Sequence, residues 1–187
     1  MLRSRALINA CRKASRPAHL ADEPPGDVVS ALRSSADIEA LVENDANAAA
    51  LGEARFGAAR DRAVVVCITV GTGIGVGVVR DGILVHGAHG THPEAGHVVV
   101  DPDGPLCYCG AHGCVEVLAS ATAVVTAATA AGVIGAGGTA KQVHDATGAD
   151  PRAAAIVARA HNALAALART LVAVHAGRSV DAGAAVF

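Results

Sequence analysis

Glu94-Ala-Gly-His97, followed by Cys107-Tyr-Cys-Gly-Ala-His-Gly-Cys114-Val-Glu116, is the stretch on which the reading of this chain turns. Three cysteines in C-x-C-x4-C spacing and a histidine ten residues upstream offer three thiolates and one imidazole. That is the donor set of a closed tetrahedral zinc site. Pro102, Gly104, Pro105, Gly110 and Gly113 supply turns that let one loop fold back and converge His97, Cys107, Cys109 and Cys114. The competing reading is a group of unrelated thiols. Interleaved with the donors are two carboxylates, Glu94 and Glu116, that a zinc ion does not need. A metal-stapled loop that fixes spare carboxylates points to a pocket for a hydroxyl-rich ligand. His86, His89, His92 and His112 lie close by in sequence and are expected on the surface, outside the donor set.

Upstream, Val70-Gly-Thr-Gly-Ile-Gly-Val-Gly77 places four glycines at alternate positions after an apolar strand. Bare amides of Gly71, Gly73 and Gly75 with the Thr72 hydroxyl can surround phosphate oxygens. Alternate glycines also simply permit close backbone approach, and the two readings stand side by side. No Gly-Lys-Ser/Thr follows, so this is not a Walker A loop. Further upstream, Glu43-Asn-Asp-Ala-Asn47 opens a helix after a short strand. Asp45 at a helix N-terminus can accept a proton from an incoming hydroxyl, and Asn44 offers one donor and one acceptor to a sugar. Plain helix capping is the alternative, because Asn and Asp are the usual capping residues.

The 187 residues suit one domain or slightly more. Hydrophobic residues are 52% of the chain but aromatics only 2%, so the core must be built from closely packed Ala and Val. A net charge of −2 gives no global field for nucleic acid or an anionic membrane, and no apolar run approaches the length of a membrane span. Five cysteines, three of them clustered with a histidine, fit a reducing cytoplasm rather than a disulfide framework. The first 20 residues hold five Arg/Lys and no acid. A transit-type segment is one reading of them, and a chain start falling inside a domain is the one adopted.

The pattern predicts a loop over 17–27, a short helix over 27–34 and a strand over 38–42. Asn44 should cap a helix over 46–59. An apolar strand over 63–70 is expected to be central in a sheet. A turn at 71–73, a glycine-punctuated strand over 74–80, a hairpin at Asp81-Gly82 and a strand over 83–85 follow. Helices are expected over 115–131, 140–147 and 151–175, with a loop over 132–138.

The run from Val42 to Ser120 resembles the ROK family of repressors, open-reading-frame proteins and sugar kinases. Glu43-Asn-Asp-Ala-Asn47 with Ala-Ala-Ala-Leu-Gly-Glu53 is similar to the family's catalytic-aspartate helix. Thr69-Val-Gly-Thr-Gly-Ile-Gly75 is similar to its second phosphate loop, and the cysteine segment to its zinc signature. The resemblance implies an α/β chain that is part of an actin-like ATPase (ribonuclease H-like) fold of two lobes, with a sugar site in the cleft. It implies ATP-dependent phosphorylation of a hexose, with glucose at O6 as the expected substrate. By position, Asp45 would be the general base. Asn44, Glu94, His97 and Glu116 would bind sugar, and His97 would also ligate structural zinc with Cys107, Cys109 and Cys114. Gly71, Thr72, Gly73 and Gly75 would face the ATP phosphates, with Mg2+ bridging nucleotide oxygens. A cytoplasmic protein that forms a homodimer is the family expectation.

The family kinases also carry a D-x-G-G-T strand and a C-terminal glycine-rich adenosine motif. Neither is present, and Gly137-Gly138-Thr139 is the only echo of the first. The expected organisation is a remnant of the N-terminal lobe over 1–42 and a sugar-binding, zinc-containing C-terminal lobe over 43–187, with activity reduced or absent. The alternative is a sugar-responsive repressor of the same family. Residues 1–35 hold no convincing helix-turn-helix.

Overall fold

A computed structural model of the chain describes residues 5–9, 39–87 and 90–175. The expected loop over 17–27 and helix over 27–34 lie outside the described residues. Strands β1 (Arg5–Asn9) and β2 (Glu39–Glu43) pair in parallel, and β2 runs straight into helix α1 (Asp45–Phe56). Asn44 caps α1 as expected. Strands β3 (Val64–Val70), β4 (Ile74–Arg80) and β5 (Ile83–Leu84) form an antiparallel sheet in the order β3-β4-β5. Asp81 at φ 49° and Gly82 at φ 78° make the tight turn that the Asp-Gly pair predicted. A 3-10 turn at Ala95–His97 and an irregular loop lead to α2 (Val115–Ala119), α3 (Ala121–Ala130), α4 (Ala140–Asp145) and α5 (Pro151–His175).

Two expectations need correction. The apolar run over 63–70 was expected at the centre of a sheet, but among the described residues β3 is an edge strand and β4 is central. The reason lies in β4, whose two faces are both covered. Ile74, Val76 and Val78 point into the main core. Gly75 and Gly77 face α1, where a Cβ on Gly77 would lie 2.3 Å from the Ala46 carbonyl oxygen and one on Gly75 would lie 2.9 Å from the Ala46 Cβ. The glycines therefore let a helix lie directly on the strand. The second correction concerns 115–131, which is two helices and not one. Ser120 is extended, and its hydroxyl accepts the Ala123 amide as the N-cap of α3.

The result is three layers, with α1 on one face of the β3-β4-β5 sheet and α2 to α5 on the other. In α5, Ala153, Val157, Ala160, Ala163, Leu167 and Leu171 recur at helical spacing and are buried against β4, α2, α3 and α4. The largest fully buried side chain is Leu167, followed by valines, while Phe56 and Tyr108 are exposed. The core is thus built from small aliphatic side chains, as the composition requires. The Gly137-Gly138-Thr139 echo resolves as a helix start, since Thr139 and Gln142 form a capping box on α4. No helix among the described residues is long and apolar enough to cross a membrane.

Candidate functional site

Residues 73–75, where β4 begins, form a hub that touches all three sequence motifs. At Gly75 the neighbour is Ala46, one residue beyond Asp45. At Ile74 the neighbour is Gly96, one residue before His97, where an added Cβ would lie 2.6 Å from the Ile74 carbonyl oxygen. At Gly73 the neighbour is Glu116, whose Oε2 would lie 2.6 Å from a Cβ there and accepts the Ile74 amide at 2.9 Å. At Gly96 the overlap is with backbone and admits only glycine, whereas at Gly73 and Gly75 the facing atoms belong to side chains. The helix start, the glycine turn and the cysteine loop are brought together by packing that the spacing of the motifs alone does not reveal.

The Gly71-Thr72-Gly73 turn is held from behind. The Ala121 amide donates to the Gly71 carbonyl at 2.8 Å, and the Thr122 hydroxyl donates to the Thr72 carbonyl at 2.9 Å. Gly71 and Thr72 are exposed, and nothing lies within 4 Å of where a Gly71 Cβ would stand. Gly75 differs from its companions, because it lies inside β4 under α1.

Asn44 serves the cap through its Oδ1, which accepts the Ala46 amide at 2.9 Å and the Asn47 amide at 3.2 Å. Its side-chain acceptor is therefore committed, and the amide group is what it can offer a ligand. Asp45 is exposed in the first turn of α1, with one carboxylate oxygen accepting the Ala46 amide at 2.9 Å. Glu94 is exposed and meets His92 Nε2 at 3.0 Å.

The four expected metal donors converge, with all their ligand atoms within 4.8 Å of one another. Cys109 Sγ and Cys114 Sγ are 3.6 Å apart, and Cys107 Sγ lies 3.5 Å from His97 Nδ1. A tetrahedral ion with Zn–S of ~2.3 Å and Zn–N of ~2.0 Å sets those edges at roughly 3.7 and 3.5 Å, so the residues fit zinc. Burial pushes the Cys114 thiol up to about 12, while an amide hydrogen bond at Ala111 holds exposed Cys109 below its ordinary value. The loop is tied down by Cys107 and Gly113 amides that donate to Ala111 and Pro105 carbonyls, each at 2.8 Å. Asp101 anchors it to α5 through Arg159 at 3.2 Å.

Three contributors were not singled out from sequence. Tyr108, between two cysteines, stacks edge-on against His97 with centroids 4.8 Å apart. Although most of the ring is exposed, partial desolvation of its hydroxyl and the facing Glu116 charge push that group up to about 12. Glu43 and Asn47 flank the Asn-Asp pair and bond to each other, Asn47 Nδ2 donating to Glu43 Oε1 at 2.8 Å. An aromatic in a chain with so few was the available signal for the first. The symmetry of Glu-Asn-Asp-Ala-Asn was the signal for the others.

The family model described as the ROK family matches residues 2–181. The chain belongs to the ROK family. Its described elements carry the actin-like fold of ROK sugar kinases. The ROK hexokinase of Thermus thermophilus superposes with a TM-score of 0.71 at 34% identity, over 79% of this chain and 50% of that one. A ROK glucokinase from Streptomyces griseus, solved with glucose and AMPPNP, gives 0.64 at 34% identity over 79% and 53%. In sequence, the glucokinase of Thermotoga maritima is 56% identical over 84 residues, 45% of this chain and 26% of that protein. The xylose repressor of Bacillus subtilis is 38% identical over 99 residues, 53% of this chain and 26% of that protein. The chain therefore matches about half of each solved structure and about a quarter of each curated relative.

Proposed function

We propose that this chain binds a hexose at the 73–75 hub and serves ATP-dependent phosphorylation of that sugar, glucose at O6 being the expected case. The packing of Ala46, Gly96 and Glu116 on Gly73-Ile74-Gly75 is the observation that supports the reading, since Asp45 and His97 are chain neighbours of the first two. Asn44 contributes its amide, and Glu94 and Glu116 contribute carboxylate acceptors for sugar hydroxyls. With His97 Nδ1 on the metal side, its Nε2 carries the proton and donates to the sugar. Zinc, held by His97, Cys107, Cys109 and Cys114, is a structural staple that fixes this loop.

Asp45 is the general base. Its exposed carboxylate takes the proton of the 6-hydroxyl as that oxygen attacks the γ-phosphorus, and ADP departs with the bridging oxygen. The Gly71-Thr72-Gly73 turn faces the transferring phosphates with its amides and the Thr72 hydroxyl. Magnesium, when bound with the nucleotide, neutralises developing charge. Similarity to the S. griseus protein crystallised with glucose and AMPPNP supports both ligands.

The test is a coupled ADP-release assay with glucose, ATP and Mg2+ on the wild-type chain and on Asp45→Asn. Loss of about 10²–10⁴-fold in kcat with glucose affinity retained supports the base assignment. Equal turnover by the variant refutes it. Similarity to the xylose repressor keeps a regulatory reading beside this one, with the same sugar site and no turnover. Sugar-dependent operator binding by the protein would establish that reading.

A further inference from the structure

We infer that His86 and Glu43 are positioning residues that set the N-terminus of α1, and so Asp45, against the loop that carries Glu94 and His97. The inference rests on the sugar-site reading above. Glu43 is the last residue of β2, immediately before the Asn44 cap. Its Oε1 accepts two hydrogen bonds at 2.8 Å, from the Asn44 amide and from Asn47 Nδ2. Its Oε2 meets His86 Nε2 at 3.0 Å. His86 lies two residues beyond β5, in the segment that leads to Glu94. One carboxylate therefore joins β2, the first turn of α1 and the sugar loop.

This arrangement is more than helix capping. The Asn44 side chain already satisfies the Ala46 and Asn47 amides, so the first turn does not need Glu43. Asn47 is fully buried, and its Oδ1 has no hydrogen-bond partner among the described residues. An apolar residue at 47 would remove that unmet acceptor. What Asn47 provides is the Nδ2 bond to Glu43, which ties the carboxylate to α1. Burial would push the Glu43 carboxyl up, yet the Asn47, Asn44 and His86 hydrogen bonds outweigh it and hold the group below its ordinary value. The carboxylate is thus the form the network is built around. His86 and Glu43 keep 35% and 21% of their side-chain surface exposed, so the contact is partly screened by water.

The experiment compares wild type, His86→Leu and His86→Gln, each zinc-loaded, by amide hydrogen exchange and by glucose titration. His86→Leu should raise exchange at Ala46, Asn47 and Ala48 about three- to fivefold and weaken glucose by a similar factor, with amides of β4 unmoved. His86→Gln, which restores a donor, should recover most of both. Three results overturn the inference: unchanged glucose affinity in His86→Leu, an equal rise in exchange across β4, or a His86→Gln variant no better than His86→Leu. A wild-type chain that takes up no glucose removes the sugar reading itself, a failure seen before any variant is examined.

Discussion

Gly113→Ala is the substitution whose consequences follow most directly from the coordinates. Gly113 sits at φ +65°, and a Cβ built there would lie 1.6 Å from the Asp101 carbonyl oxygen. The left-handed backbone alone costs about 1–2 kcal/mol for alanine. The overlap forces one strand of the loop to move. That movement breaks the Val100 amide to Gly113 carbonyl bond at 3.0 Å and the Gly113 amide to Pro105 carbonyl bond at 2.8 Å. At about 1 kcal/mol each, the total loss is about 3–4 kcal/mol. Cys114 is the next residue, so its sulfur leaves the donor cluster, and retention of a zinc ion held there should fall with stability. Urea melts of the zinc-loaded chain, with metal content measured after dialysis, read both effects. Gly110→Ala is the control, because Gly110 has φ +92° with nothing within 4 Å of its Cβ position. It should show the backbone cost alone and keep its zinc. A Gly113→Ala variant that retains one zinc per chain and loses under about 1 kcal/mol would refute the packing argument.

Other consequences are equally open to measurement. Gly73→Ala places a Cβ 2.6 Å from Glu116 Oε2. The flexible carboxylate yields, so stability should change by less than about 1 kcal/mol while the lost Ile74 bond weakens glucose about tenfold. Calorimetry and thermal melts separate the two, and unaltered glucose affinity would remove Glu116 from the sugar site. Ser120→Ala deletes the α3 cap and should lower stability by about 0.5–2 kcal/mol in denaturant melts. Glu43 is ionised more readily folded than unfolded, so its contribution is complete above about pH 4.3 and is lost as pH falls through the lower folded value. The stability gap between wild type and Glu43→Gln should therefore shrink as pH falls below about 4. A gap that keeps widening below about pH 4 would contradict the hydrogen-bond account.

Much of this site was legible because its chemistry is local. The four expected metal donors lie within 18 residues, and turn residues between them let them meet. Capping of α1 by Asn44 and the Asp81-Gly82 turn are likewise decided by neighbours in sequence. What escaped was non-local. Whether β3 or β4 occupies the middle of the sheet depends on which strand a helix can lie upon, and the glycines of β4 decide that through Ala46 and Ala50. The break at Ser120 was hidden because Ala and Val on both sides read as one helical pattern, and a serine there is compatible with either outcome. His86 looked like a surface histidine, and only the fold shows Glu43 across from it, 43 residues away.

The central claim is that three separated motifs make one hexose site at the start of β4. Titration of D-glucose into the zinc-loaded chain, with L-glucose and a Glu116→Ala variant alongside, tests it most directly. Saturable one-to-one binding of D-glucose, absent with L-glucose and at least about tenfold weaker in the variant, is the expected result. No saturable binding, or equal binding of both enantiomers, would contradict it.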